Sequence, residues 1–112
     1  MIKEKDISIA RHDIEKFGPL AAMAEAEFKD LERREPIVKA RCIAKYRGPR
    51  ITYQWAKNEG IQDKEYVDHL EQMKKAEKKY LEAEKAYRTI VEWLRAVTSE
   101  NYRENSRLEA GL

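Results

Sequence analysis

The fold turns on residues 63–97, which read DKEYVDHLEQMKKAEKKYLEAEKAYRTIVEWLRAV. His69, Met73, Ala76, Tyr80, Ala83, Tyr87, Ile90, Leu94 and Val97 follow one another at alternating spacings of four and three. A helix of 3.6 residues per turn keeps these side chains on one stripe, whereas a strand would scatter them over both faces. Tyr66, Leu70 and Val91 widen the stripe, and Lys and Glu fill the opposite side, as in a coiled-coil seam. Asp63 is placed to cap the helix N-terminus, with Tyr66 rather than a glutamate three residues on. From Asp63 to Arg107 such a helix is about 65 Å long, more than a compact domain of 112 residues needs. Part of the seam is therefore expected to pack on an earlier helix as an antiparallel hairpin, and the rest to meet another subunit or a partner. Tyr80, Tyr87, Ile90, Trp93, Leu94 and Val97 are the candidate interface residues. Trp93 lies off the main seam. There an exposed indole would mark an interface, and burial against the first helix is the ordinary alternative.

Toward the N-terminus, residues Arg50–Asn58 predict a short helix or ordered loop ended by Gly60, and Gly48-Pro49 predicts a firm stop before it. Leu20, Ala24, Phe28 and Leu31 form a helical stripe that resumes as Val38, Cys42 and Tyr46 beyond Pro36. An interior proline removes one hydrogen bond and clashes with the preceding turn, costing about 3 kcal/mol. A helix kinked or broken near Arg33–Glu35 and ending at Arg47 is expected. Ile7, Ala10, Ile14 and Phe17 predict a first short helix over Ile2–Phe17, stopped by Gly18-Pro19, with Pro19 opening the next. The expectation is a single all-α domain, residues 1–112, of three to four helices. The long C-terminal helix would form the hairpin or coiled-coil-like bundle. Much of the 42% hydrophobic content is Ala, which covers little area, so completion of the core in a homo-oligomer is expected.

Several function classes find no foothold. Cys42 is the only cysteine, so no internal disulfide is possible and a reducing compartment is the simpler reading. No N-terminal apolar run resembles a signal peptide, and none approaches the roughly 18 apolar residues of a membrane span. A cytoplasmic location without membrane contact is expected. His12 and His69 are far apart, and the chain has no metal-ligand spacing and no glycine-rich phosphate loop. Cys42 lacks a histidine partner in sequence and reads as a small buried hydrophobe, and His69 reads as a core or edge histidine. A non-enzymatic protein without cofactor or metal is expected.

The net charge of +2 conceals a pattern. Residues 1–32 carry a net −3 and residues 58–112 a net −2, but residues 33–57 hold 8 basic and 1 acidic side chain, a net +7. Such a block favours polyanions or an acidic protein surface. It comprises Arg33, Arg34, Lys39, Arg41, Lys45, Arg47, Arg50 and Lys57, interleaved with Tyr46, Tyr53 and Trp55. Cations neutralise phosphates and release counterions, and aromatic faces stack on unpaired bases. Lys39, Arg41, Lys45, Arg47 and Arg50 are the candidate phosphate contacts, and Tyr46 and Trp55 the candidate stacking residues, for single-stranded DNA. The competing reading has the cations facing a helix C-terminus and the aromatics in the core.

Lys39-Ala40-Arg41, followed by Tyr46, Gly48 and Arg50, resembles the Lys-Ala-Arg motif with downstream Tyr and Gly/Arg of the UvsY-type phage recombination mediators, and Glu109-Ala110-Gly111 resembles their ending. The resemblance covers about a fifth of the chain. The spacing inside the first motif differs, and Pro36 just before it is a departure. The resemblance implies a helical oligomer that binds single-stranded DNA and helps to load a strand-exchange recombinase, with Lys39 and Arg41 on the DNA backbone. A reading of another class is a small phage-type inhibitory or adaptor protein acting by protein–protein contact, its basic segment meeting an acidic or RNA-binding groove.

Overall fold

The computed structural model describes residues 3–110, and of their side chains all but those at 101, 102, 105, 106 and 108–110. Gly111 and the side chains of Glu109 and Ala110, on which the expected similarity at the end of the chain rests, lie outside what is described, as does Ile2 at the expected start of the first helix. Among the described residues there are three helices and no strand: α1 over Glu4–Ala44, α2 over Tyr53–Gln62 and α3 over Lys64–Ala110. The all-α expectation holds. No helix is long and apolar enough to cross a membrane among the described residues.

The main correction concerns α1, which runs 41 residues without a break. Neither Gly18-Pro19 nor Pro36 ends a helix. Both prolines are exposed, so their rings face solvent and not a neighbouring helix. At Gly18 the missing side chain is used for packing, since a Cβ there would lie 3.3 Å from Tyr87 Cε2. In the turn before Pro36, the Leu31 carbonyl accepts a bond from His69 Nε2 at 2.8 Å. A carbonyl can only accept, so this contact fixes the Nε2–H form of the imidazole. The carbonyl that Pro36 leaves without a donor is that of Glu32, an exposed residue whose carbonyl water can reach, so the helix continues through the proline.

α1 also ends earlier than expected, at Ala44. Its last turn tightens, with Tyr46 N–H donating to Ile43 O at 3.1 Å and Arg47 N–H to Ala44 O at 3.3 Å. Gly48 has no positive φ, so it does not act as a left-handed cap. It opens a turn closed by Ile51 N–H to Gly48 O at 3.1 Å, with Pro49 in the position its fixed φ suits.

α2 starts and ends about three residues later than the sequence predicts. Thr52 is its N-cap, accepting from Trp55 N at 3.2 Å. Gly60 does not terminate α2. It is buried inside it, where a Cβ would fall 2.7 Å from Ile43 Cγ1 and 2.8 Å from the Ile43 backbone. Glycine here allows α2 to lie against α1. Asp63 then serves two helices. Its N–H bonds Gly60 O at 3.2 Å, closing α2, and its Oδ1 accepts from Glu65 N at 3.0 Å, capping α3 as expected.

The chain forms two compact units, residues 1–22 with 81–112 and residues 23–80. In the first, Ala10, Ala21 and Val97 are buried, and Gly18 receives the Tyr87 ring. In the second, Val38, Cys42 and Tyr66 form the core cluster, with Leu70 packed against it. Tyr66 donates to Glu35 Oε1 at 2.5 Å, and Phe28 stacks on Tyr80 at 6.1 Å between centroids. The pairs 28/80, 31/69 and 35/66 run in opposite directions along α1 and α3, so this unit is an antiparallel hairpin with α2 added at one end. Cys42 and His69 are core residues, as their sequence context predicts.

The two helical glycines give opposite expectations for substitution. Gly60→Ala forces Ile43 backbone to move and should destabilise by about 2 kcal/mol or more. Gly18→Ala meets only the edge of a movable ring and gains helix propensity, so it should stay within about 1 kcal/mol of the parent. Urea unfolding followed by circular dichroism separates the two. Equal stability of Gly60→Ala and the parent would contradict the close α1–α2 approach.

Candidate nucleic-acid interface

The basic segment folds as the end of α1, the turn after it and the first turns of α2, all within the unit formed by residues 23–80. The start of α3 in the same unit divides its cations into two groups. Arg41 pairs with Glu65. Lys45 Nζ bonds Glu65 Oε2 at 2.7 Å and Asp63 Oδ1 at 3.3 Å. Tyr46 donates its hydroxyl to Asp63 Oδ2 at 2.7 Å. The Tyr46 bond, followed by the Glu65 backbone N–H, holds the Asp63 carboxyl below its usual range, and Lys45 does the same for Glu65. In return, Lys45 is raised by its bond to Glu65 and Tyr46 by its bond to Asp63. Three expected nucleic-acid residues, Arg41, Lys45 and Tyr46, are thus committed to a carboxylate cluster.

The other four are disposed differently. Lys39 is half-buried and Arg50 exposed, and neither has a carboxylate partner among the described residues. Arg47 likewise lacks one, and its guanidinium sits 5.7 Å from the centroid of the Tyr53 ring, a cation–π arrangement. Trp55 is 47% exposed and Tyr53 57% exposed. Trp55 meets Tyr46 edge to face, with centroids 6.3 Å apart and planes at 74°. The structure therefore places Arg47, Arg50, Tyr53 and Trp55 on the turn and the first turn of α2. The sequence does not single out Tyr53 as a stacking residue. The signal for it is Thr52, whose capping role fixes both aromatics in a first helical turn without any acidic residue.

The expected partner-interface residues are mostly used within the chain. Tyr80 stacks on Phe28 in one unit. In the other, Tyr87 lies against Gly18, Val97 is buried, Ile90 and Leu94 are half-buried, and Trp93 keeps 39% of its surface exposed.

Cys42 Sγ and the carboxylates of Asp63 and Glu65 offer three donor atoms within 4.8 Å of one another. The thiol reaches Asp63 at 3.7 Å and Glu65 at 3.8 Å. Burial, then the nearby carboxylates, push it toward the protonated form, which is the wrong direction for a nucleophile. The Lys45 ammonium already bridges the two carboxylates, so the negative charge that a cation would need is balanced from within the chain. Comparison with protein-family models, with curated proteins and with solved structures finds no match.

The carboxylate cluster predicts acid sensitivity. Asp63 and Glu65 bind a proton less readily in the folded state, so their contribution is present above the ordinary carboxylate pKa of about 4 and is lost as pH falls further through the lowered folded values. Asp63→Asn keeps a capping side chain but not the charge. Its thermal midpoint should lie below that of the parent at pH 7, with the gap narrowing in melts repeated below about pH 4. A gap independent of pH would contradict the assignment.

Proposed function

We propose that this chain is a non-enzymatic, single-stranded DNA-binding protein that meets its ligand at the turn between α1 and α2. One observation carries the reading. Among the described residues, Arg47 and Arg50 are cations without carboxylate partners, and they lie beside two exposed aromatics, Tyr53 and Trp55, in the same short segment. A single strand offers a line of phosphates and unpaired base faces, and this surface supplies a partner for each. Lys39, and Arg33 six residues before it on α1, add positive charge within the same unit. Arg41, Lys45 and Tyr46 are tied to Asp63 and Glu65 beside this surface.

The resemblance of residues 39–50 to the UvsY-type mediators supports a recombination-accessory role, with a strand-exchange recombinase as protein partner and a homo-oligomer as the working form. Met23 and Ile37 on α1 are 68% and 64% exposed, and large apolar side chains left in water favour a further protein contact. The same observation favours the second reading, a small adaptor or inhibitor acting by protein–protein contact. The two readings differ in whether nucleic acid binds without a partner present.

Fluorescence anisotropy of a labelled oligothymidine, titrated at low and moderate salt, tests the proposal. Binding should weaken steeply with salt. Arg47→Ala/Arg50→Ala should bind at least about tenfold more weakly at low salt. Its slope of log affinity against log salt should be shallower by about 1.4, because each single-strand phosphate left without its arginine removes about 0.7 from the slope. Unchanged affinity and slope in the double variant would move the site elsewhere. No binding by the parent at low salt would leave the adaptor reading.

A further inference from the structure

We infer that Trp55 is the platform on which an unpaired base stacks, and that Tyr46 is a positioning residue, holding the indole from beneath while itself anchored to Asp63. This deepens the single-strand reading above and rests on it.

Two aromatics on this surface differ in what they have left to offer. Tyr46 is half-buried and committed at both ends, with its hydroxyl on Asp63 Oδ2 at 2.7 Å and its ring against Trp55. A base could stack on it only by displacing the indole or breaking the bond to Asp63. Trp55 has the opposite balance. Its backbone is fixed, because Thr52 Oγ1 accepts from its N–H at 3.2 Å in the first turn of α2. Its ring has one aromatic neighbour, set at 74°. An edge-to-face arrangement occupies at most one face of the indole, and 47% of the residue remains exposed to solvent.

Fixing an aromatic before the ligand arrives removes part of the ordering cost of binding. Asp63 is well suited to the far end of this chain of interactions. It caps α3, closes α2 and bonds Lys45, so it cannot shift without disturbing both helices. Order therefore passes from the α2–α3 junction through Tyr46 to the indole.

The ligand chemistry follows from the neighbours. Tyr53, two residues before Trp55, carries the Arg47 guanidinium over its ring, and Arg50 lies in the preceding turn. A flat apolar face beside cations fits a planar π system attached to an anionic backbone, which describes an unpaired nucleotide. In a duplex the base faces are already covered by their neighbours, so the same surface would keep only its phosphate interactions.

The test combines tryptophan emission with affinity, using the full chain and oligothymidine. The parent's emission should be quenched on binding, and Trp55→Phe should abolish that change while Trp93 continues to emit. Trp55→Ala should bind about tenfold more weakly, in the range expected for one stacked base, and a duplex of equal length should lack the quench. Tyr46→Leu should weaken binding severalfold and reduce the quench at saturation, and Tyr46→Phe, which keeps the ring against Trp55 but loses the bond to Asp63, should recover only part of both. Oligothymidine binding with no quench and full affinity in Trp55→Ala would overturn the platform while leaving the single-strand reading intact. A Tyr46→Leu protein matching the parent in affinity and quench would overturn the positioning role. Failure of the parent to bind oligothymidine at low salt would overturn both this inference and the reading beneath it.

Discussion

Asp63 and Glu65, at the start of α3, receive the side chains of Arg41, Lys45 and Tyr46 from the end of α1, and the rest of the basic region is arranged around that junction. Asp63 satisfies an N–H of α3, while its own backbone closes α2. A half-buried capping residue of this kind is harder to replace than an exposed ion pair, because several partners are deprived of their bonds together. Between Ala44 and Tyr53 the polypeptide turns, held by the bonds of Tyr46 N–H to Ile43 O, Arg47 N–H to Ala44 O and Ile51 N–H to Gly48 O, and it presents Arg47 and Arg50 on that turn.

The junction also sorts the charge. A net +7 over residues 33–57 looks uniform along the chain, but the carboxylates of α3 balance its members unequally. Arg41 and Lys45 face acids, and Arg34 pairs with Asp30 one turn away, whereas Arg47 and Arg50 have aromatic or solvent surroundings. Exposed ion pairs add little stability. Their consequence here is to leave Arg33, Lys39, Arg47, Arg50 and Lys57 as the cations of the segment not paired with a carboxylate among the described residues, and of these Arg47 and Arg50 lie on the turn beside the aromatics. The small side chains of the interior, Ala10, Ala21, Ala24, Ala56 and Ala76, serve a different end. They let helices approach closely at the expense of apolar area, leaving Met23 and Ile37 in water.

What can be read from the sequence follows from the range of each interaction. The seam from His69 to Val97 is a repeated local pattern, and it locates α3 well. Asp63 as a cap and Cys42 as a buried small residue are also local inferences, and they hold. Pro36 and Gly18-Pro19 mislead because both prolines and the residues four positions before them, Glu32 and Glu15, are exposed, so water can reach the carbonyls left without a donor, and Gly18 takes up the Tyr87 ring from far along the chain. Gly60 reads locally as a terminator, yet its meaning is the proximity of Ile43. The commitment of Arg41, Lys45 and Tyr46 depends on residues about 20 positions later, so the basic segment by itself gives no basis for dividing it. Tyr53 stands out only once Thr52 is recognised as the cap of α2.

The most direct test is where a nucleic acid touches the chain. A photoreactive oligothymidine, crosslinked to the full protein at low salt and mapped by mass spectrometry, should mark residues 47–57, with Trp55 or Tyr53 as the attached side chain. Crosslinks confined to the seam of α3, or to the face of α1 that carries Arg41 and Lys45, would contradict the division of the basic region on which the proposal rests.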